Sequence, residues 1–523
     1  MHSNDDSKSQ QFGIFRRYLW PICKDELQKF VPLLFLCFLI SFNYNILRNL
    51  KDPLLVTAKS SGAEVIPFVK VWMILPASFF LAYLYTYLCN VYGTIRSFYI
   101  VLSGFLLYFL FFALFLYPLS DQLHLHFLQY LFESYDLPLG LKGLVSMLRY
   151  WVFTSFYVMA ELWSNMILSV LFWGLANHIT RITEAKRFYG IIGFVGNLSG
   201  VVAGSLAYYL ALLCNRFSFL PGCTVWQSTL YLLLFVVLAS GLAILLIYKK
   251  IIKNLSSKDT NKYNGNTKII KNKMSFSQSL KFIIRSKHAL SLAVIVISYN
   301  LTINVLEIIW KDQVKIAYPS PEAYHAYMNQ ITIWTGIIAS IMSLFVTTNA
   351  IRVLGWFKTA MMTPLVVGVT CLFFFSLITL DLNSSWLGSF SVGAFFPYIV
   401  FLGGLQNCFI RASKYSVFDA TKEMAFIPLS EDQRIKAKSA IDGVGSRFGK
   451  SGGSLIHQVL GFYFTSIAAT VPCFAMIMLA ILGGWFWSVR KLSLSLGYEK
   501  TQYKKESLDL NKPILVDQTE VVL

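Results

Sequence analysis

Ser97-Phe98-Tyr99-Ile100-Val101-Leu102-Ser103-Gly104-Phe105-Leu106-Leu107-Tyr108-Phe109-Leu110-Phe111-Phe112-Ala113-Leu114-Phe115-Leu116-Tyr117 contains no charged side chain. A helix crosses the hydrocarbon of a bilayer with about 20 mainly apolar residues. The run has that length and is apolar on every side, so it reads as a membrane span and not as an amphipathic surface helix. Eleven further stretches follow the same rule, giving twelve expected spans: 31–49, 67–89, 97–117, 148–174, 188–213, 226–248, 288–310, 331–350, 357–380, 391–412, 440–465 and 468–489. The whole composition agrees. Hydrophobic residues make up 56% of the 523 and charged residues only 14%, against roughly a quarter charged in soluble domains. The fold class expected is an all-α membrane protein.

The net charge of +19 lies in particular connections. Segment 249–287 is rich in lysine, and Arg96, then Arg181, Lys186 and Arg187, then Arg352, then Lys422, Arg434, Lys436 and Lys438 fall in alternate connections. Lys142 and Arg216 stand alone in the opposite ones. This alternation is the positive-inside pattern, and it places both termini in the cytoplasm. A nucleic-acid surface would not alternate with spans, so no nucleic-acid partner is expected.

The basic segment also divides the chain. The organisation expected is a cytoplasmic segment 1–30, a six-helix half 31–248, a linker 249–287, a second six-helix half 288–490 and a polar cytoplasmic tail 491–523. Two such halves are the layout of a major-facilitator-type carrier, with its solute site near the midplane. Within 118–147 the apolar run Phe127–Phe132 predicts an interfacial helix. The acidic residues Asp5, Asp6, Asp25 and Glu26, with no small-residue cleavage site, argue against a removable signal.

Four charged residues lie in or beside spans: Lys70, Glu161, Glu307 and Lys450. An ionisable group at membrane depth usually faces a polar cavity or a partner. Two cations and two anions, shared between the halves, point to the carriage of a charged solute, an anion first. Each has a plainer alternative. Lys70, near the start of its span, can snorkel to the interface. Glu307 has Lys311 four residues on, in reach of a local helix pair. Gly449-Lys450-Ser451 looks like the end of a Walker A loop, but that motif needs a glycine where Val444 stands, and a strand before it. The reading that remains is a lysine in a helix of small residues, where backbones pack closely.

Chemistry other than transport finds no support in the residues. The seven histidines and eight cysteines form no metal-ligand spacing, no nucleophile–base set is evident, and neither cofactor nor enzymatic activity is expected. Cys214 and Cys223 share one outward connection, as a disulfide or as two free thiols.

The chain resembles the nucleotide transporter family of plastids and obligate intracellular bacteria, often called non-mitochondrial ATP/ADP translocases. The resemblance runs from about Phe30 to Trp487. It is carried by Phe42–Arg48 with Lys51-Asp52, by Ala63–Lys70, by Tyr157–Trp163, and by Leu171–Gly174 with Ala176-Asn177. Glu184–Tyr189, Lys414–Ser416 with Phe418-Asp419, Lys422–Ala425 and Gly449–Gly453 complete it. It implies a twelve-span carrier that exchanges nucleotides by alternating access, most readily imported ATP for exported ADP. The proton-coupled import of GTP, UTP or a dinucleotide such as NAD is the alternative. It also implies that Lys70, Glu161, Glu307, Lys450 and Asn197 serve nucleotide binding and transport, with Arg48, Lys51 and Lys414 as second candidates. The setting implied is the inner membrane of an intracellular bacterium, with the protein a monomer. One departure is visible. The family's usual Leu-Arg-Asp-Thr-Lys-Asp reads Leu47-Arg48-Asn49-Leu50-Lys51-Asp52 here, which is expected to leave Arg48 and Lys51 less neutralised.

Overall fold

A computed structural model describes residues 22, 26–134, 139–180, 182–217, 222–255, 284–343, 347–382, 395–429, 431–438, 441, 445–464 and 466–509. Among these every regular element is helical. The principal ones are α1 (Leu27–Val56), α2 (Val65–Leu116), α3 (Trp151–Ile179), α4 (Ile182–Arg216), α5 (Val225–Leu255) and α6 (Lys287–Ala317). They continue with α7 (Pro321–Ile341), α8 (Thr347–Leu382), α9 (Phe396–Ser413), α10 (Ser446–Gly461) and α11 (Val471–Asp509). Shorter helices cover Ser120–Leu123, Phe127–Ser134 and Lys142–Arg149. The second of these is where the apolar run predicts one.

Local sequence sets the breaks. Ser286 and Ser320 cap α6 and α7, each hydroxyl accepting from the backbone N–H three residues on at 3.3 Å, and Pro321 opens α7 where a missing N–H costs nothing. Gly93 (φ 77°, ψ 165°) breaks the helical path of α2 with a kink, and Gly355 (φ 75°, ψ 172°) does the same in α8. That backbone region suits glycine alone, so two turns of one shape recur in the two parts of the chain.

Eight helices among the described residues are long and apolar enough to cross a membrane, and Val65–Leu116 holds two of the expected spans on either side of Gly93. The expected spans 331–350, 391–412 and 440–465 are not among the eight, and 344–346, 391–394, 440, 442–444 and 465 lie outside the described residues. Their helices α7, α9 and α10 bury Asn329 and Thr332, Gln406 and Asn407, and His457 and Gln458. In α7 and α9 these polar residues dilute the hydropathy, whereas α10 is described over only 16 residues.

Two apolar cores form. One gathers residues of α1–α5, among them Phe105, Phe109, Phe156 and Trp163. The other gathers α6–α11, and it takes in Leu55, Val56, Val65, Ile66 and Val69 as well. The two sets of helices therefore join at the end where α1 stops and α2 begins, called the far end below, as well as where α7 packs on α4 and α1.

Several boundaries differ from expectation. The first helix starts at Leu27. Helix α5 runs on to Leu255 within the expected linker, whose residues 256–283 lie outside the described ones. Helix α11 continues through the expected polar tail to Asp509, because Tyr498–Asp509 holds good helix formers such as Glu499, Lys500, Gln502 and Lys504 with no proline before Pro513. Cys214 and Cys223 are both free thiols.

Candidate functional site

The charged residues of α1, α2, α3, α6 and α9 converge between the two sets of helices. Glu307 of α6 is the centre. Its Oε2 lies 3.5 Å from Lys70 Nζ, and its Oε1 lies 2.9 Å from Lys311 and 3.0 Å from Arg411. Lys70 also donates to the side-chain carbonyl of Asn304. That pairing turns Lys70 inward, and the snorkelling alternative falls. Lys311 is indeed a helix partner of Glu307, but it reaches further: its Nζ lies 2.8 Å from Asp52 Oδ2 on α1. Beside this group, Lys51 Nζ lies 2.7 Å from Glu161 Oε2 and 3.8 Å above the ring of Tyr157.

Widened helical turns present these side chains. Lys70 stands in the π-helical segment Val69–Ile74, Lys414 opens Lys414–Phe418, and Glu161 precedes Ser164–Phe172 by one turn. Such bulges recur at functional positions because they redirect side chains without ending the helix. Next to the first bulge, the Pro67 carbonyl accepts from Gln458 Nε2 of α10 at 3.0 Å, and Trp72 Nε1 donates to Gln458 Oε1 at 3.2 Å.

Lys450 sits on α10, exposed, with no ion pair among the described residues. Glu161 is the carboxylate that acts on it most strongly, and Glu307 acts on it too. Its glycine neighbours serve packing. A Cβ at Gly449 would stand 2.8 Å from the Ile297 carbonyl, and one at Gly453 would stand 2.9 Å from Asn304 Nδ2. Asn304 Nδ2 in turn donates to the Lys450 carbonyl at 2.6 Å and to Ser454 Oγ at 2.8 Å. The glycines thus bring α10 against α6, as close-packed helices and not a phosphate loop.

The remaining candidates divide. Arg48 is half-buried, and its charge bears on Glu307 and on Tyr44. Lys414 is half-buried, with its ammonium 5.0 Å from the Tyr415 ring. Asn197 stands apart: its backbone carbonyl faces Gly336, where α4 crosses α7, and its side chain makes no hydrogen bond to the cluster among the described residues. Lys51 is neutralised by Glu161, while Asn49 points to α7, donating to Asn329 Oδ1 at 2.6 Å and accepting from Thr332 at 3.1 Å.

Sequence reasoning missed Asp52, Asn304 and Arg411 as members of the site, and it took Lys311 only as a local partner. A signal was present: Asn304, Glu307 and Lys311 recur at three- and four-residue spacing, one polar stripe along an otherwise apolar helix. Taken together, the cluster holds more cations than carboxylates, between walls of low dielectric. Such a site concentrates a polyanion.

The protein-family model described as TLC ATP/ADP transporter matches residues 5–496. ADP,ATP carrier protein 1 of Chlamydia pneumoniae is 40% identical over 493 residues, 93% of this chain and 95% of that protein. The chloroplastic ADP,ATP carrier protein 1 of Arabidopsis thaliana is 38% identical over 481 residues, 89% of this chain and 73% of that protein. Among solved structures, a bacterial homologue of the iron transporter ferroportin, in an inward-facing state, superposes with a TM-score of 0.53 at 15% identity, covering 90% of this chain and 98% of that one. That likeness speaks to fold alone, a bundle of long helices. Matched over nearly its whole length, the chain belongs to the TLC ATP/ADP transporter family.

Proposed function

We propose that the protein is a nucleotide antiporter that imports ATP in exchange for ADP by alternating access. The observation that carries this reading is the 40% identity to a protein named as an ADP,ATP carrier over 95% of that protein's length. The buried cation-rich cluster is its physical counterpart. With Gly93 dividing α2 into two passes, and with α7 and the part of α8 before Gly355 counted as one, the helices provide twelve passes: six in 31–248 and six in 288–490, with 249–287 as the linker. Both termini lie in the cytoplasm, in keeping with the alternation of basic connections, and the membrane is the inner membrane of an intracellular bacterium. The carrier works as a monomer.

On this topology the far end faces outward. Among the described residues, the ion pairs that join the two helix sets are Asp52–Lys311 and Lys70–Glu307. Toward the other end, Lys29–Glu184 and Lys438–Glu423 each stay within one set. This distribution favours a carrier closed outside and open to the cytoplasm.

Lys70, Arg411 and Lys450 take the nucleotide phosphates, with Arg48 and Lys414 drawing the polyanion in. Glu307 and Glu161 compensate the cations between loads. Unpaired buried charge is costly, so a carrier whose lysines have left their carboxylates without gaining a phosphate is disfavoured, and exchange is preferred to empty return. Asn197 acts through the α4/α7 crossing, which must shift when the sets rock.

The deciding experiment is uptake of labelled ATP into proteoliposomes with and without internal ADP, with a proton gradient imposed or collapsed. The expected result is uptake that requires internal ADP and ignores the gradient. Uptake into empty vesicles that collapses with the gradient would overturn antiport in favour of proton coupling.

A further inference from the structure

Lys311 is held by two carboxylates from opposite helix sets. Its Nζ lies 2.8 Å from Asp52 on α1 and 2.9 Å from Glu307, one turn back on its own helix. The Lys311 side chain is 2% exposed and that of Asp52 1%. Neither Asp52 oxygen accepts a hydrogen bond among the described residues, so the Lys311 ammonium is what compensates that carboxylate. The pair has a sequence basis. Counted from Leu27 and from Lys287, Lys51-Asp52 and Lys311-Asp312 stand at the same two positions of α1 and α6, 25 and 26. Of the two cross-pairs this repeat allows, Asp52–Lys311 is made, while Lys51 goes to Glu161.

We propose that Lys311 is a positioning residue that couples the nucleotide site to the outer closure. The inference rests on the antiport reading above, and it concerns residues that reading leaves without a role. Glu307 is shared among Lys70, Arg411 and Lys311; Lys70 reaches it from the other set, and of the three Lys311 alone is also held by a second carboxylate, Asp52, across the sets. Phosphate oxygens compete for Lys70 and Arg411. As those two cations turn to the ligand, Glu307 keeps Lys311 as its one strong partner. The ammonium has three donors but a single charge. Drawn toward Glu307, it weakens its hold on Asp52, and the closure at the far end is released. A loaded carrier is thereby freed to open outward, and an unloaded one stays latched.

The test uses the full chain with spin labels on genetically encoded residues at Tyr130 and Tyr463, which are 73% and 80% exposed on opposite sets near the far end. Label-to-label distance reads the closure, and ATP/ADP exchange in proteoliposomes reads function. Lys311→Met should move the nucleotide-free population toward the longer distance, while Lys311→Arg keeps the shorter one. The swap Asp52→Lys with Lys311→Asp should restore the shorter distance yet leave exchange below about one-tenth of wild type, because an acidic residue at 311 is repelled by Glu307 instead of being recaptured by it. A well-folded swap that stays at the longer distance would overturn the latch. A swap that recovers both distance and full exchange would overturn the coupling. If Lys311→Met fails to fold, Lys311→Arg and the swap still decide. Absence of exchange in wild-type vesicles would instead count against antiport, and the nucleotide-free distances would still report on the latch.

Discussion

Asn49 donates to Asn329 across the contact of α1 with α7, at 2.6 Å, on the side of α1 away from Lys51. Two residues along a helix is a rotation of about 200°, so neighbours in sequence serve different neighbours in space. Asn49 fastens one helix set to the other, whereas Lys51 belongs to the charged interior. Asn49→Leu strands the Asn329 carbonyl and should cost about 1–3 kcal/mol of stability, the penalty of a buried polar group without a partner. KM for ATP should change by less than about threefold, below ~0.7 kcal/mol. Thermal melting and uptake kinetics on the same preparation check both, and a tenfold rise in KM would return Asn49 to the nucleotide site.

The Lys51–Glu161 pair invites a double-mutant cycle. Lys51→Met or Glu161→Gln alone leaves a charge of the pair behind in the interior, and each should destabilise by about 3 kcal/mol, the low end for buried pairs because Glu161 is partly open. The double variant should recover at least about 1 kcal/mol relative to the worse single, and transport should stay lost. Additive losses would show that the 2.7 Å contact carries no coupling.

Lys450 and Lys70 should separate by stability. Lys450 makes no ion pair among the described residues, so Lys450→Ala should leave melting within about 0.5 kcal/mol of wild type. Loss of a phosphate contact should still raise KM about tenfold or more, ~1.4 kcal/mol. Lys70→Ala removes a partner of Glu307 and of Asn304 and should lower both melting temperature and affinity. Unchanged affinity in both variants would sink the phosphate assignment.

Acid should loosen the connection between α2 and α3 at His124. Burial against Tyr150 and Phe153, with the charge of nearby His126 adding to it, pushes its imidazole from an ordinary 6.5 down to about 4. The unfolded chain then takes up the proton first, so the stability is intact above pH 6.5 and is lost as pH falls toward 4. Melting in detergent at pH 7.5 and pH 4.5 should show a drop that His124→Gln reduces. An equal drop in the variant would assign the acid sensitivity to other groups.

How much of this was legible in the sequence follows from what each residue's neighbours are. Apolar runs such as 97–117 announce a span because lipid constrains every side of the helix alike. Glu161 and Glu307 stood out because a carboxylate amid apolar residues has to be met by something. Of what met them, the spacing showed only Lys311 beside Glu307; Lys51 on Glu161, Arg411 on Glu307, and the reach of Lys311 to Asp52 join helices more than a hundred residues apart in the chain, which spacing along one helix does not encode. The partner of Asn49 was not legible for the same reason, since Asn329 belongs to the other set. The helices α7, α9 and α10 also read as spans, though their apolar pattern is interrupted by the buried polar residues Asn329, Asn407 and Gln458.

Helix α4 crosses α7 at two glycines, and the crossing should set the transport rate. A Cβ on Gly204 would meet Ile333 Cγ1 at 2.7 Å and the Asn329 carbonyl at 2.9 Å, and one on Gly336 would meet Val201 Cγ2 at 2.8 Å and the Asn197 carbonyl at 2.9 Å. The backbone atoms among these neighbours cannot yield as a side-chain end can. Gly336→Ala should therefore cost about 1–3 kcal/mol through overpacking. If the two sets rock about this crossing, it should also lower the maximal exchange rate about tenfold or more, ~1.4 kcal/mol in the barrier, with KM little changed. Asn197→Ala keeps the carbonyl that faces Gly336, so it should slow exchange less than Gly336→Ala does. Should Asn197→Ala instead raise KM as far as Lys450→Ala, its side chain would be a nucleotide ligand, and the site would extend from the charged cluster to α4.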